Sequence, residues 1–196
     1  MRPVYQSYSI DGDTLRVVLK DKYYDFTATL CYRAVGKLDL IERWIEVTNR
    51  TGAPVELPIF RCGNVQLPSH DNYRLTHYSG NWGAEYQPQR HMLHQEQVVL
   101  ESHRGTCSAH QHTPFAALDP DGEATDTQGD VFFAALEWSG ENKMIVEKNY
   151  FGDVQLCAGW NDYDAEWTLK DGETLSSPKL AVGYSGAGFN RMTEIL

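Results

Sequence analysis

Short segments in which apolar and polar side chains alternate run through most of this 196-residue chain, and they constrain the fold most strongly. In Asp25–Arg33 every second residue is apolar or aromatic, namely Phe26, Ala28, Leu30 and Tyr32. Successive side chains of a strand point to opposite faces, so this segment predicts a half-buried strand. Asp39–Thr48 repeats the pattern with Ile41, Ile45 and Val47 inward. It ends at Asn49–Pro54, whose Asn, Gly and Pro residues are typical of a turn.

Further β-type runs follow at similar spacing, with Asp-Gly and Ser-Gly turns between several of them. Strands are predicted over Thr14–Leu19, Val55–Phe60, Tyr73–His77, Gln97–Ser102, Asp130–Trp138, Asn142–Lys148, Val154–Ala158, Ala165–Leu169 and Leu180–Tyr184. Many short strands joined by Gly-containing turns indicate an all-β fold, an antiparallel β-sandwich. We expect this sandwich to occupy residues 1–186.

The last ten residues, 187–196, change pattern and predict the start of a helix. Phe189, Met192 and Leu196 would share one helical face, with Asn190 as N-cap. A helix of about two turns that needs burial on one side is seldom a natural terminus. We therefore expect a larger protein to continue past Leu196.

Charge and composition exclude several classes of protein. The net charge is −10 and the 17 basic residues are not clustered, which argues against a nucleic-acid partner. No segment approaches the roughly 18 uninterrupted apolar residues of a membrane span, and the N-terminus has no signal-peptide run. The four cysteines include no C-x-x-C pair. Reduced thiols and a cytoplasmic location are expected.

The segment Tyr78–Tyr86 (YSGNWGAEY) places Trp82 on a Gly-flanked turn with the carboxylate of Glu85 three residues later. An indole held on a tight turn can lie against the C–H face of a sugar ring, and a nearby carboxylate can accept hydroxyl hydrogen bonds. The alternative is structural, with Trp82 covering the edge of the sandwich and the glycines serving the turn.

Other candidate chemistry is incomplete. Five of the seven histidines lie between His91 and His112, but no further ligands complete a metal set, so we expect neither metal nor cofactor. The serines on Gly turns lack the G-x-S-x-G elbow, and Cys107 near His103 is weak evidence for a nucleophile. The pair Asp162 and Asp164 is interpreted as solvated turn carboxylates in preference to a calcium or glycosidase site. No catalytic residue is predicted.

Several motifs, in order along the chain, resemble the N-terminal β-sandwich domain of bacterial α-galactosidases of glycoside hydrolase family 36. Tyr73–Glu85 resembles the strand that leads into that family's G-x-W-x-x-E. Glu101–Phe115 resembles its E-S-R-R-G…S-H…N-P-F stretch, and Gly129–Gly140 resembles G-E-V-Y…Y-S-G. Trp167–Glu173 resembles W-x-L-x-x-G-E, and Tyr184–Met192 resembles the exit into the linking helix.

This resemblance implies a galactose-mutarotase-like supersandwich whose upstream strands precede Met1. It also implies that the helix over 187–196 leads to a catalytic barrel. The family hydrolyses terminal α-galactosides such as melibiose and raffinose by a retaining mechanism, and both of its catalytic aspartates belong to that barrel. The chain alone is then expected to be inactive.

The resemblance also assigns a role to the Trp82 turn. In tetrameric members the Trp of G-x-W-x-x-E packs against the galactosyl unit in a neighbouring subunit's active site, and Trp82 occupies that position. Glu85 matches the acid of the motif. The implied partners are an α-galactoside and further copies of the chain in a homo-oligomer, a tetramer in the full enzyme.

Two other hypotheses remain open at this stage. One is a stand-alone carbohydrate-binding module with Trp82 as its platform. The other is an interface-forming structural domain whose unpaired sheet edges would cause self-association.

Overall fold

Antiparallel pairing joins all the strands of the computed structural model, which describes residues 1–106 and 110–196. These residues form sixteen strands, arranged in three sheets, and one helix. The antiparallel β-sandwich expected from the sequence is confirmed.

The largest sheet has ten strands in the order β1-β2-β3-β4-β16-β11-β10-β7-β8, with β15 paired to β4. Its strands are β1 Pro3–Asp11, β2 Thr14–Asp21, β3 Phe26–Val35, β4 Leu40–Asn49, β7 Tyr73–Asn81, β8 Ala84–Met92, β10 Gln111–Pro120, β11 Val131–Leu136, β15 Thr174–Ser176 and β16 Leu180–Ser185.

Two smaller sheets and a helix complete the fold. The second sheet has the order β6-β13-β12-β9, made of β6 Arg61–Gln66, β9 Gln97–Ser102, β12 Asn142–Lys148 and β13 Val154–Trp160. The third pairs β5 Val55–Leu57 with β14 Trp167–Leu169, and α1 spans Gly188–Ile195.

Each predicted strand overlaps an observed one, whereas β1, β6, β8, β10 and β15 were not predicted. At the centre of β10 the side chains of both faces are apolar: Phe115 and Ala117 belong to one cluster, and Ala116 and Leu118 belong to another. A strand buried on both faces has no period-two signal. Ile41 was expected to face inward but is 49% exposed.

The large sheet buries apolar side chains on both faces. Between it and the four-stranded sheet lies the main core, which includes Leu75, Leu100, Leu118, Met144 and Leu156. On the opposite face, α1 packs Phe189, Met192 and Ile195 against Phe115, Ala117, Val131 and Phe133. A third cluster joins Ala28 and Val47 of the large sheet to Phe60 and Leu169. A hydrophobic layer therefore supports the centre of the sheet from each side.

A helix forms at the C-terminus, where the sequence predicted one, but it differs in detail. The N-cap is Ala187, which makes no side-chain capping hydrogen bond. Asn190, the expected N-cap, lies inside the helix. The first amides are satisfied by a neighbouring loop: Phe189 N donates to Thr125 O and Asn190 N donates to Asp126 O, at 3.0 and 2.8 Å. Ile195 is buried, whereas Leu196, expected on the apolar face, is 52% exposed.

The cysteines within the described residues, Cys31, Cys62 and Cys157, are free thiols. Burial raises the pKa of Cys62 to about 12 and that of Cys31 to about 11, so both are protonated at neutral pH. Cys107 lies outside the described residues.

Candidate functional site

The two-residue turn between β7 and β8 holds Trp82 at its tip. Asn81 pairs with Ala84, so Trp82 and Gly83 alone connect the strands. Gly83 has φ +79°, a conformation that a glycine adopts without steric cost. Trp82 is 86% exposed. The turn predicted from the sequence therefore presents its indole outward and does not cover the sandwich edge.

The carboxylate of Glu85 stabilises this turn. Its Oε1 accepts a hydrogen bond from the backbone N–H of Gly83 at 3.1 Å. Hydrogen bonds from the backbone N–H groups of Glu85 itself and of Gly83 lower the pKa of the carboxyl, so Glu85 is ionised at neutral pH.

The hairpin β7–β8 forms one edge of the large sheet, with β7 paired to β10 as far as Gly80, and Ala84–Arg90 of β8 is exposed throughout. Two contacts attach its base on the side of α1. The ring of Tyr78 lies 5.8 Å from that of Phe115, and the guanidinium of Arg90 lies 4.9 Å from the ring centroid of Phe189. An aromatic residue at the tip of an anchored arm can reach a surface outside this chain.

A groove of about 700 Å³ follows the other flank of the hairpin. One wall consists of hairpin residues and the other comes from β9 and the start of β10. The described residues that line it are Ser79, Gly80, Asn81, Ala84, Gln87, Gln89, Val99, Glu101, His103, Gln111 and His112. Side chains that can donate or accept hydrogen bonds predominate in this lining.

A chain of ion pairs supports the β9 wall. Lys143 Nζ lies 3.2 Å from Glu101 Oε2 and 2.8 Å from Asp162 Oδ1, and Arg61 lies 3.5 Å from Asp162. Burial favours the neutral form of Glu101, but the hydrogen bond and charge of Lys143 outweigh it and lower the pKa. Burial also favours the neutral form of Asp162, but the hydrogen bond and charge of Lys143 outweigh it and lower the pKa. Asp164 is exposed, as expected, whereas Asp162 is only partly exposed and is ion-paired, because β12 places Lys143 beside it.

Three histidines cluster beneath the groove. The rings of His91 and His112 lie 6.1 and 5.4 Å from that of buried His77. Burial, with some repulsion from the other two imidazoles, lowers the pKa of His77 to about 4. Burial likewise lowers the pKa of His112. Within residues 1–106 and 110–196, no group of three His, Cys, Asp or Glu side chains could hold a metal ion.

The single helix of the described chain is too short to cross a membrane.

A sequence profile of the glycosyl hydrolase family 36 N-terminal domain matches residues 3–170. The chain belongs to this family. It is 32% identical over 190 residues to α-galactosidase AgaA of Geobacillus stearothermophilus, covering 97% of this chain and 26% of that protein. It is 31% identical over 185 residues to α-galactosidase Mel36A of Lactobacillus acidophilus, covering 94% of this chain and 25% of that protein. The chain thus spans about a quarter of each relative.

Solved structures agree with this assignment. The crystal structure of AgaA superposes with a TM-score of 0.90 at 28% identity, covering 98% of this chain and 29% of that chain. Other structures show AgaA variants in complex with stachyose and with raffinose, each with a TM-score of 0.87. An Escherichia coli protein described as an aldose 1-epimerase superposes with a TM-score of 0.59 at 12% identity, which shows a shared galactose-mutarotase-like fold.

Proposed function

We propose that this chain is the non-catalytic N-terminal domain of an α-galactosidase, in which it supports oligomer assembly and places Trp82 in the active site of a neighbouring subunit. The observation that carries the proposal is the 86% exposure of Trp82 in the turn of the hairpin at the edge of the large sheet. The complete enzyme would hydrolyse terminal α-galactosides such as melibiose and raffinose, in keeping with the raffinose complex of its relative.

The chemistry of the turn supports this role. An indole offers a large planar surface for the C–H face of a galactosyl unit, and its N–H can donate a hydrogen bond to a hydroxyl. One stacking residue alone cannot offset the cost of immobilising a sugar. Trp82 would therefore act together with groups of a catalytic domain. Glu85 would fix the turn in the orientation that this contact needs.

The carboxylates of the ion-pair chain do not suit glycoside hydrolysis. A retaining glycosidase needs one carboxyl group with a raised pKa as general acid. Glu101 and Asp162 both have lowered pKa values and both bind Lys143. Neither can donate a proton at neutral pH, which supports a non-catalytic role for this pair.

A subunit-mixing experiment tests the role of Trp82. This chain would replace the matching segment of AgaA, and two forms of the chimera would be made: one with Trp82→Ala, the other without its catalytic carboxylates. Each form alone is expected to have little activity on raffinose. In mixed oligomers, the second form supplies the indole to the intact acids of the first, so activity should return.

The matched control is Phe151→Ala, which removes an 85%-exposed aromatic side chain from a different turn. It should leave the activity of the chimera unchanged. Mixed oligomers that regain no activity would place Trp82 in its own subunit's site or outside any site. Turnover of an aryl α-galactoside by the purified 196-residue chain would contradict the non-catalytic assignment.

A further inference from the structure

The groove beside the hairpin is a surface distinct from the Trp82 turn. Ser79 pairs with Gln87 on the flank that faces the groove, whereas Tyr78 points to the opposite flank and contacts Phe115. The described lining does not include Trp82. The volume of about 700 Å³ lies within the range of small-molecule sites.

Uncharged hydrogen-bonding side chains dominate the hairpin wall. Gln87 and Gln89 lie two residues apart on one face of β8, and Asn81 and Ser79 face the same space from β7. Each amide supplies two donors and an acceptor, and the hydroxyl supplies one donor. A ring of hydroxyl groups, which also donate and accept, matches this pattern.

The opposite wall carries ionisable groups whose charges are largely compensated. Glu101 is paired with Lys143, which is paired in turn with Asp162. His112 is held neutral at pH 7 because burial lowers its pKa. Gln111 is fixed by accepting a hydrogen bond from the backbone N–H of His103 at 2.5 Å. A phosphate or an organic cation would therefore find little uncompensated charge in the groove.

We propose that this groove binds a neutral pyranose unit, with the amides of Gln87 and Gln89 and the carboxylate of Glu101 bonded to its hydroxyl groups. The apolar side chains of Ala84 and Val99 would contact its C–H surface. This site belongs to the chain itself. It needs neither a catalytic domain nor Trp82, so it is independent of the proposed function.

Titration of the ¹⁵N-labelled 196-residue chain with D-galactose and with raffinose tests the proposal. Backbone amide shifts locate the sugar. Saturable shifts are expected at Ser79, Gln87 and Glu101, with dissociation constants in the millimolar range, about 1–50 mM. Inorganic phosphate at the same concentrations should cause no saturable shift at these positions.

Two sets of variants separate the groove from the turn. Gln87→Ala combined with Gln89→Ala should weaken sugar binding by about tenfold to a hundredfold, since each lost hydrogen bond reduces affinity by roughly threefold to tenfold. Trp82→Ala and the matched control Gln6→Ala, on the distant edge strand β1, should leave binding unchanged. Glu101→Gln keeps the shape of the side chain and should weaken binding through loss of a charged acceptor.

Several outcomes would overturn the proposal. One is the absence of saturable amide shifts up to about 100 mM sugar. Another is a set of amide shifts confined to the Trp82 turn and lost in Trp82→Ala. Binding that survives the double glutamine change also contradicts it. The subunit-mixing experiment depends on Trp82 and not on the groove, so the two proposals can fail separately.

Discussion

The guanidinium of Arg90 lies over the ring of Phe189, 4.9 Å from its centroid, and joins the edge hairpin to the terminal helix. Arg90 belongs to the edge strand β8, in which the seven residues Ala84–Arg90 are all exposed. Phe189 is buried in the cluster that fixes α1 to the sheet. The hairpin that carries Trp82 and the terminal helix α1 are therefore in contact on the same face of the sheet.

Replacing Arg90 with Ala should loosen this link and lower the free energy of unfolding by about 1 kcal/mol, the usual contribution of a partly exposed cation–π pair. Urea denaturation followed by tryptophan fluorescence measures the change. Arg90→Lys should retain part of the stability. Arg50→Ala, an exposed arginine in the turn after β4, is the control and should have little effect. Equal losses for Arg50 and Arg90 would show that the Phe189 contact contributes nothing.

Gly188 is required where the chain enters α1. Its φ is +75°, and a Cβ at this position would lie 2.3 Å from the carbonyl oxygen of Thr125. Gly188→Ala should therefore destabilise the fold by about 2 kcal/mol or more, from left-handed strain together with the clash. Gly52 also has positive φ, +83°, but open space around it. Gly52→Ala should cost only about 1 kcal/mol. Similar losses in the two variants, measured by thermal denaturation, would contradict this account.

The strands were predictable where one face is buried and the other is not. β3 and β4 were detected from their alternation, and their pairing places Ala28 opposite Val47 as part of one cluster. The alternation does not hold throughout, since Cys31 on the other face of β3 is buried and Ile41 of β4 is exposed. The edge strand β8 escaped detection because its residues are exposed on both faces. No burial pattern then marks it as a strand.

The turn was predictable from local sequence, but the groove was not. Glycines beside Trp82 indicate a tight turn without reference to any distant residue. The ion-pair chain joins Glu101, Lys143 and Asp162, which are far apart in sequence and meet only because β12 pairs with both β9 and β13. A single sequence does not contain that register. Asp162 was consequently interpreted as a solvated turn residue.

Acid should destabilise the base of the hairpin through His77. Its pKa of about 4 in the folded state lies below the ordinary histidine value of 6.5, so the unfolded chain binds the proton more tightly. The contribution of His77 to stability is complete above pH 6.5 and is lost as the pH falls towards 4. The difference corresponds to about 3 kcal/mol.

An NMR titration of the His77 ring protons would give this pKa directly. In denaturation experiments, the slope of stability against pH between about 6.5 and 4 should be smaller in His77→Gln than in the unmodified chain. His91 and His112, which face His77, remain in both proteins, so the comparison measures the contribution of His77 together with its repulsion from these two imidazoles. A midpoint near 6.5 for His77 would contradict the lowered pKa.

The edge strand β1 should cause the isolated chain to self-associate. β1 pairs with β2 on one side, and all nine of its residues are exposed. Tyr5, Tyr8 and Ile10 are 56, 64 and 68% exposed, and their register with β2 places them opposite Leu19, Val17 and Leu15. An unpaired edge next to exposed apolar side chains favours pairing with a second copy.

Sedimentation velocity should show a concentration-dependent shift from monomer to dimer. Tyr8→Lys should weaken dimerisation at least tenfold, because it places an unpaired charge in the contact. The control is Tyr150→Lys, at an 80%-exposed tyrosine in a turn away from β1, which should leave dimerisation unchanged. A monomer at every concentration, or equal effects of the two lysines, would show that this edge does not mediate association.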